Sequence, residues 1–263
     1  MSVTLAATQH DPDGRLYDQT RRILPILAHI FTELAIQVTH TTQKRSIELL
    51  VASGARVQQE TAEHAIGMAQ LGRPRRAALE LALQSDASFL LLCDFDRALH
   101  WAEYYSHELA QVVGRIQEYN FTVLGRTERA FASHPRVQRD TEAIINHVYE
   151  TISEHAWDVT AAARGLSRDT AEAILRGCPD ESVGTDVSWP LFLAQSGNLS
   201  LGYITTEGLE FETADRYADQ IVRAGGVAQW IARIDADPQR WVERLELARV
   251  EVEATLPYIQ RKA

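Results

Sequence analysis

Residues 87–97 read Ala-Ser-Phe-Leu-Leu-Leu-Cys-Asp-Phe-Asp-Arg, an apolar run of strand length that stops abruptly at two carboxylates two positions apart. No other feature constrains the fold as much. A strand buried on both faces is apolar without alternation, as in a parallel sheet, and such a sheet needs helices to cover it. In open α/β sheets, ligands bind beyond the carboxyl ends of the strands. Asp94 and Asp96 therefore stand where a ligand site is expected. Their hard oxygens suit a divalent cation and, through it, phosphate.

Spacing alone carries little. A chain of this size and charge content is expected to hold about one Asp-x-Asp by chance, and this one holds three. Asp11 and Asp13 fall in His10-Asp11-Pro12-Asp13-Gly14, and Asp235 and Asp237 in Asp235-Ala236-Asp237-Pro238. Both read as turn and helix-cap chemistry. Only Asp94 and Asp96 follow a strand-like run.

Around that run, strand and helix signals alternate. The apolar patterns predict strands at 3–8, 34–38, 55–59, 88–93, 121–126, 158–163 and 199–205, with 209–212 a strand edge or loop. They predict helices at 18–31, 44–53, 71–83, 101–118, 138–155, 167–177, 214–234 and 238–258. Pro25 interrupts the first helix, Pro74 suits a first helical turn, and Gly225-Gly226 interrupts the helix at 214–234. The alternation predicts an α/β fold, a mostly parallel Rossmann-type sheet flanked by helices. With 263 residues and no Gly/Ser/Pro linker, the expected organisation is one large domain over 1–212, with 213–263 a C-terminal helical extension packed on it.

The formal net charge is −10, so nucleic acid is not the expected partner. Phosphate would have to be met by local arginines or a metal. Cys93 lies inside the apolar run and Cys178 in a Gly-Cys-Pro turn, without metal-ligand or disulfide-framework spacing. This usage, with no signal peptide or transmembrane segment evident, predicts a cytoplasmic protein. The oligomeric state is left open.

Four segments resemble the GT-A fold of nucleotide-diphospho-sugar transferases over about residues 1–212. They are Thr8-Gln9-His10-Asp11 after the first strand, Leu71-Gly72-Arg73-Pro74-Arg75-Arg76-Ala77-Ala78-Leu79, Asp94-Phe95-Asp96, and Ser182-Val183-Gly184-Thr185-Asp186-Val187-Ser188-Trp189-Pro190. The resemblance implies a glycosyltransferase acting on a nucleotide-sugar donor and an unidentified acceptor. It implies Mn²⁺ or Mg²⁺ on the diphosphate, with Asp94 and Asp96 as metal ligands. Thr8, Gln9, Arg73, Arg76, Asp94 and Arg126 would bind nucleotide or donor, and Asp186 would be the catalytic base.

Each assignment has a plainer counterpart. Arg73 and Arg76 also fit a solvated helix face, Arg126 and Glu128 a surface ion pair, and Asp186 a helix N-cap. Trp189 reads as core or as a sugar-stacking ring. His100 and His134 lack ligand spacing. Thr185 stands where the family carries a second acid, and no histidine follows Asp186 to match the family's late metal ligand. An inactive nucleotide-sugar-binding or partner-binding protein of the same fold is therefore the alternative. A haloacid dehalogenase-like phosphatase also ends a strand in Asp-x-Asp, but Arg97-Ala98 stands here where a Gly-Thr or Thr pair is expected.

Overall fold

The computed structural model describes residues 2–61 and 70–259. Among the described residues, seven strands form one sheet: β1 (Val3–Gln9), β2 (Glu33–Val38), β3 (Arg56–Gln59), β4 (Phe89–Asp94), β5 (Phe121–Arg126), β6 (Ala163–Ser167) and β7 (Leu201–Thr206). Their order is β3-β2-β1-β4-β6-β5-β7. Only β6 is antiparallel to its neighbours, β4 and β5. The other pairings are parallel.

The first helices are α1 (Tyr17–Ile30), α2 (Lys44–Ala52), α3 (Gly72–Ala82), α4 (Phe95–Tyr104), α5 (Ser106–Arg115) and α6 (Glu128–Ala132). They are followed by α7 (Arg136–Ser153), α8 (Arg168–Gly177), α9 (Thr185–Gln195) and the short α10 (Thr213–Arg216). Helices α11 (Ala218–Ala224), α12 (Val227–Asp235) and α13 (Pro238–Glu253) follow. Among the described residues, no helix is long and apolar enough to cross a membrane.

Two cores cover the two faces of the sheet, and β4 shows why its sequence is apolar throughout. Leu91 and Cys93 pack with Leu24 and Leu27 of α1, Leu50 of α2 and Leu99 and Trp101 of α4. Leu90 and Leu92 point the other way, into a cluster with Leu79 of α3, Tyr149 of α7, Ile174 of α8 and Trp189 of α9. A fully buried leucine contributes about 2 kcal/mol. The end of β4 is thus anchored from both sides before the first acid is reached.

Several elements differ from expectation. Residues 158–163 do not make one strand. Asp158 is drawn to Arg126, Val159–Ala161 form a 3-10 turn, Ala162 takes φ 56°, and the strand starts at Ala163. The expected helix at 101–118 begins at Phe95 as α4 and breaks at Tyr105 before α5. Residues 209–212 are loop, one of the two forms expected. The helix expected at 214–234 is three, broken at Tyr217 and at Gly225-Gly226, whose φ values are 92° and 127°. Helix α13 packs on α7 and α9.

Candidate active site

The chain winds outward from β1 through β2 to β3, then returns to place β4 on the other side of β1. The carboxyl ends of the strands diverge at this reversal and leave a crevice. A cavity of about 510 Å³ lies there, a volume suited to a small ligand. Thr8, Gln9 and His10 line it from β1 and its loop, Gln37–Thr41 from the end of β2, and Glu60 from beyond β3. Pro74 and Arg75 contribute from the first turn of α3, Asp94 and Asp96 from the end of β4, and Arg216 from α10.

Asp94 is the last residue of β4, in register with Thr8. The Thr8 hydroxyl donates to Asp94 Oδ1 at 2.6 Å. Burial pushes the Asp94 carboxyl up, but Arg75, Arg97, the Thr8 hydroxyl and Arg216 outweigh it and hold the group below the usual carboxylate range. Asp94 is thus held as an anion. Asp96 belongs to the first turn of α4, where a negative charge favours the helix end. One of its oxygens accepts the Arg97 N–H at 3.0 Å, and the other lies 3.0 Å from Arg216 Nη2. The two acids therefore come from a strand end and a helix start.

Like Arg216, Arg75 is a cavity residue that sequence reasoning passed over, here in favour of its neighbours. Burial opposes its charge, yet Asp186, Asp94 and Glu251 hold the guanidinium above the usual arginine range. It donates to Asp186 Oδ1 at 3.0 Å and to the Thr185 hydroxyl at 2.9 Å. A helical stripe contained the signal: Arg75 lies three, four and seven residues before Ala78, Leu79 and Ala82, all buried. Gly72 brings this turn close to the chain, because its N–H donates to Glu181 O at 2.9 Å and an added Cβ would stand 2.4 Å from Ser182 O.

The other expected site residues divide. Thr8, Gln9, Asp94 and Asp96 meet at the cavity, whereas Arg73, Arg76, Arg126 and Asp186 do not line it. Arg73 pairs with Glu181 at 2.6 Å on the surface. Arg76 donates to the carbonyls of Cys178 and Leu175, closing the end of α8. The Arg126 side chain is fully buried, 2.8 Å from Asp158 and 2.7 Å from Glu142, so the surface pair with Glu128 is not what forms. Asp186, in the first turn of α9, is 6% exposed and lies between Arg75 at 3.0 Å and Arg164 at 3.4 Å. Burial raises its carboxyl, and the two guanidiniums pull against that shift. Trp189 is 1% exposed and belongs to the core.

Residues of the cavity wall also carry polar atoms without partners among the described residues. Gln9 is 2% exposed, and neither atom of its carboxamide is paired. The same holds for Oε1 of Gln37. Buried polar atoms without partners are costly. Among the described residues, no group of three or more His, Cys, Asp or Glu could hold a metal ion.

No family model matches the sequence, and no curated protein matches it. Solved structures do resemble it in fold. One is glucosyl-3-phosphoglycerate synthase from Mycobacterium tuberculosis in complex with Mg²⁺ and uridine diphosphate, at TM-score 0.53 and 12% identity, covering 78% of this chain and 69% of that one. The same enzyme in complex with Mn²⁺, UDP-glucose and phosphoglyceric acid gives TM-score 0.52 at 12% identity, covering 87% and 79%. The likeness is one of fold, and the chain has the GT-A-like α/β fold.

Proposed function

We propose that this chain is a glycosyltransferase that binds a nucleotide-diphosphate sugar in the cavity at Asp94 and Asp96 and transfers the sugar to an acceptor hydroxyl. The observation that carries this reading is the joining, at the strand-order reversal of a GT-A-like sheet, of Asp94, Asp96, Arg75 and Arg216 in one cavity. Of the solved neighbours named above, one holds uridine diphosphate with Mg²⁺ and the other UDP-glucose with Mn²⁺, which supports the same ligand class here.

The donor set fits a divalent cation. Mg²⁺ is commonly held by one or two carboxylates, with substrate phosphates and water completing the shell. Asp94 and Asp96 supply that pair, and Asp94 is already held as an anion. When bound, the cation would stabilise charge on the departing diphosphate. Arg75 faces the cavity with a charged fork suited to phosphate oxygens. Thr8 orients Asp94.

Asp186 has a different role in this account: it anchors Arg75. Its contacts with Arg75 and Arg164 favour a positioning role over that of a free base. The same observation favours a second reading, in which the protein binds nucleotide sugars without turnover. A thermal-shift panel of nucleoside diphosphates and sugar nucleotides, with and without Mn²⁺ or Mg²⁺, tests the binding claim. The expected result is a metal-dependent rise with at least one nucleotide that is lost in Asp96→Ala. No rise with any member contradicts it. Release of nucleoside diphosphate from the donor, with acceptor hydroxyl compounds present, separates catalysis from binding.

A further inference from the structure

Arg216 enters the cavity from α10, far along the chain from the acids it meets. Its Nη2 lies 3.0 Å from Asp96 Oδ2, and its Nη1 donates to His10 O at 2.9 Å. The preceding residue fixes the turn. Asp215 Oδ2 lies 2.8 Å from His100 Nδ1 and accepts from Gln19 Nε2 at 2.8 Å. Residues 215 and 216 therefore tie α10 to α1, to α4 and to the loop after β1. The Arg216 Nε is buried and has no partner among the described residues. The guanidinium is anchored at one end and keeps an unspent N–H donor.

We infer that Arg216 is a built-in cation at Asp96, competing with a divalent ion for that carboxylate until a diphosphate arrives to receive the guanidinium. The inference rests on the metal–nucleotide reading of the cavity. A guanidinium against the carboxylate oxygen that would ligate a metal ion disfavours that ion, because two cations at contact distance repel in a partly desolvated site. Phosphate changes that balance. A diphosphate offers oxygens to both cations, so Arg216 can move from carboxylate to phosphate with its fork geometry intact. Two properties follow. The free protein binds Mn²⁺ weakly, and nucleoside diphosphate and Mn²⁺ each strengthen the binding of the other. The sharing of Asp96 also keeps metal from settling in the empty site.

The test is direct titration of Mn²⁺, followed by the electron paramagnetic resonance of the free ion, without nucleotide. Arg216→Gln is expected to bind Mn²⁺ at least about tenfold more tightly than the unmodified protein, as expected when a contacting positive charge is removed. Arg216→Lys, which keeps a charge on a flexible stem, is expected to stay weak. Adding Asp96→Asn to Arg216→Gln is expected to abolish the gain, which ties the gained affinity to that carboxylate. Unchanged or weaker Mn²⁺ binding by a folded Arg216→Gln protein overturns the inference, and so does an equal gain in Arg216→Lys. The titration contains no nucleotide, so its outcome is independent of the proposed activity. If uridine diphosphate with Mn²⁺ binds the unmodified protein while Arg216→Gln leaves binding of Mn²⁺ alone unchanged, only the role of Arg216 fails. If no nucleotide binds, the donor reading fails separately.

Discussion

The Asp186 carboxylate lies 3.0 Å from the Arg75 guanidinium, and only Arg75 of that pair reaches the cavity. Removing Asp186 would leave Arg75 and Arg164 buried without their shared counter-charge. Losing one partner of a buried pair costs about 3–5 kcal/mol. Asp186→Ala is therefore expected to lose about that much stability in urea unfolding, and Asp186→Asn less, with nucleotide affinity falling in both. An Asp186→Asn protein with unchanged stability and nucleotide affinity but no sugar transfer would instead make Asp186 the base.

Two arginines expected from the sequence to touch the donor should respond very differently. Arg126 is fully buried between Asp158 and Glu142, whereas Arg73 forms an exposed pair with Glu181. Burial disfavours the Asp158 carboxylate, but Arg126 and Asn146 reverse the shift and hold it well below the usual range. Arg126→Ala is expected to cost about 3–5 kcal/mol, and Arg73→Ala less than about 1 kcal/mol. Chemical denaturation of both variants reads the contrast.

The contacts that hold α10, which carries Arg216, should loosen as pH rises. Burial disfavours the charged His100 ring, but Asp215 and Glu210 outweigh that cost and raise its pKa above 6.5. Its contribution to stability is full below pH 6.5 and is lost as pH rises through the higher folded value. Glu210 acts in the opposite direction. Burial raises it, while Arg129, Tyr105 and His100 bring it below 4.5, so its contribution is lost only as pH falls below that value. The stability difference between the unmodified protein and His100→Gln should be largest between about pH 4.5 and 6.5 and shrink at alkaline pH. Paired unfolding curves across that range measure it.

Gly72 controls how close the Arg75 turn comes to residues 181–182. A Cβ there would stand 2.4 Å from a backbone oxygen, which cannot rotate away. Gly72→Ala is expected to displace the start of α3 and weaken nucleotide binding. Gly114→Ala, where a Cβ would meet nothing within 4 Å, serves as a control in the same binding assay.

Much of this arrangement was legible in the sequence. The run from Phe89 to Cys93 was apolar because β4 is buried on both faces, and its two acids do line the cavity. Local chemistry was less informative where a charged residue's partner lies far along the chain. Nothing near Arg126 shows that Asp158 and Glu142 will bury it. Nothing near Arg216 points to Asp96, 120 positions earlier. Arg75 was accessible in principle, since helical periodicity aligns it with Ala78, Leu79 and Ala82, while Arg73 and Arg76 face elsewhere. The segment at 158–163 misled because its apolar residues are buried in a turn that Asp158 ties to Arg126.

The central claim is that Asp94 and Asp96 form a metal-assisted diphosphate site. Isothermal titration of uridine diphosphate into the protein, with Mn²⁺ and then with chelator, tests it most directly. The account predicts binding that weakens at least about tenfold when the metal is removed, with that metal-dependent part absent from Asp94→Asn/Asp96→Asn. Binding that is equally tight with chelator, or that is unchanged in the double variant, would contradict it.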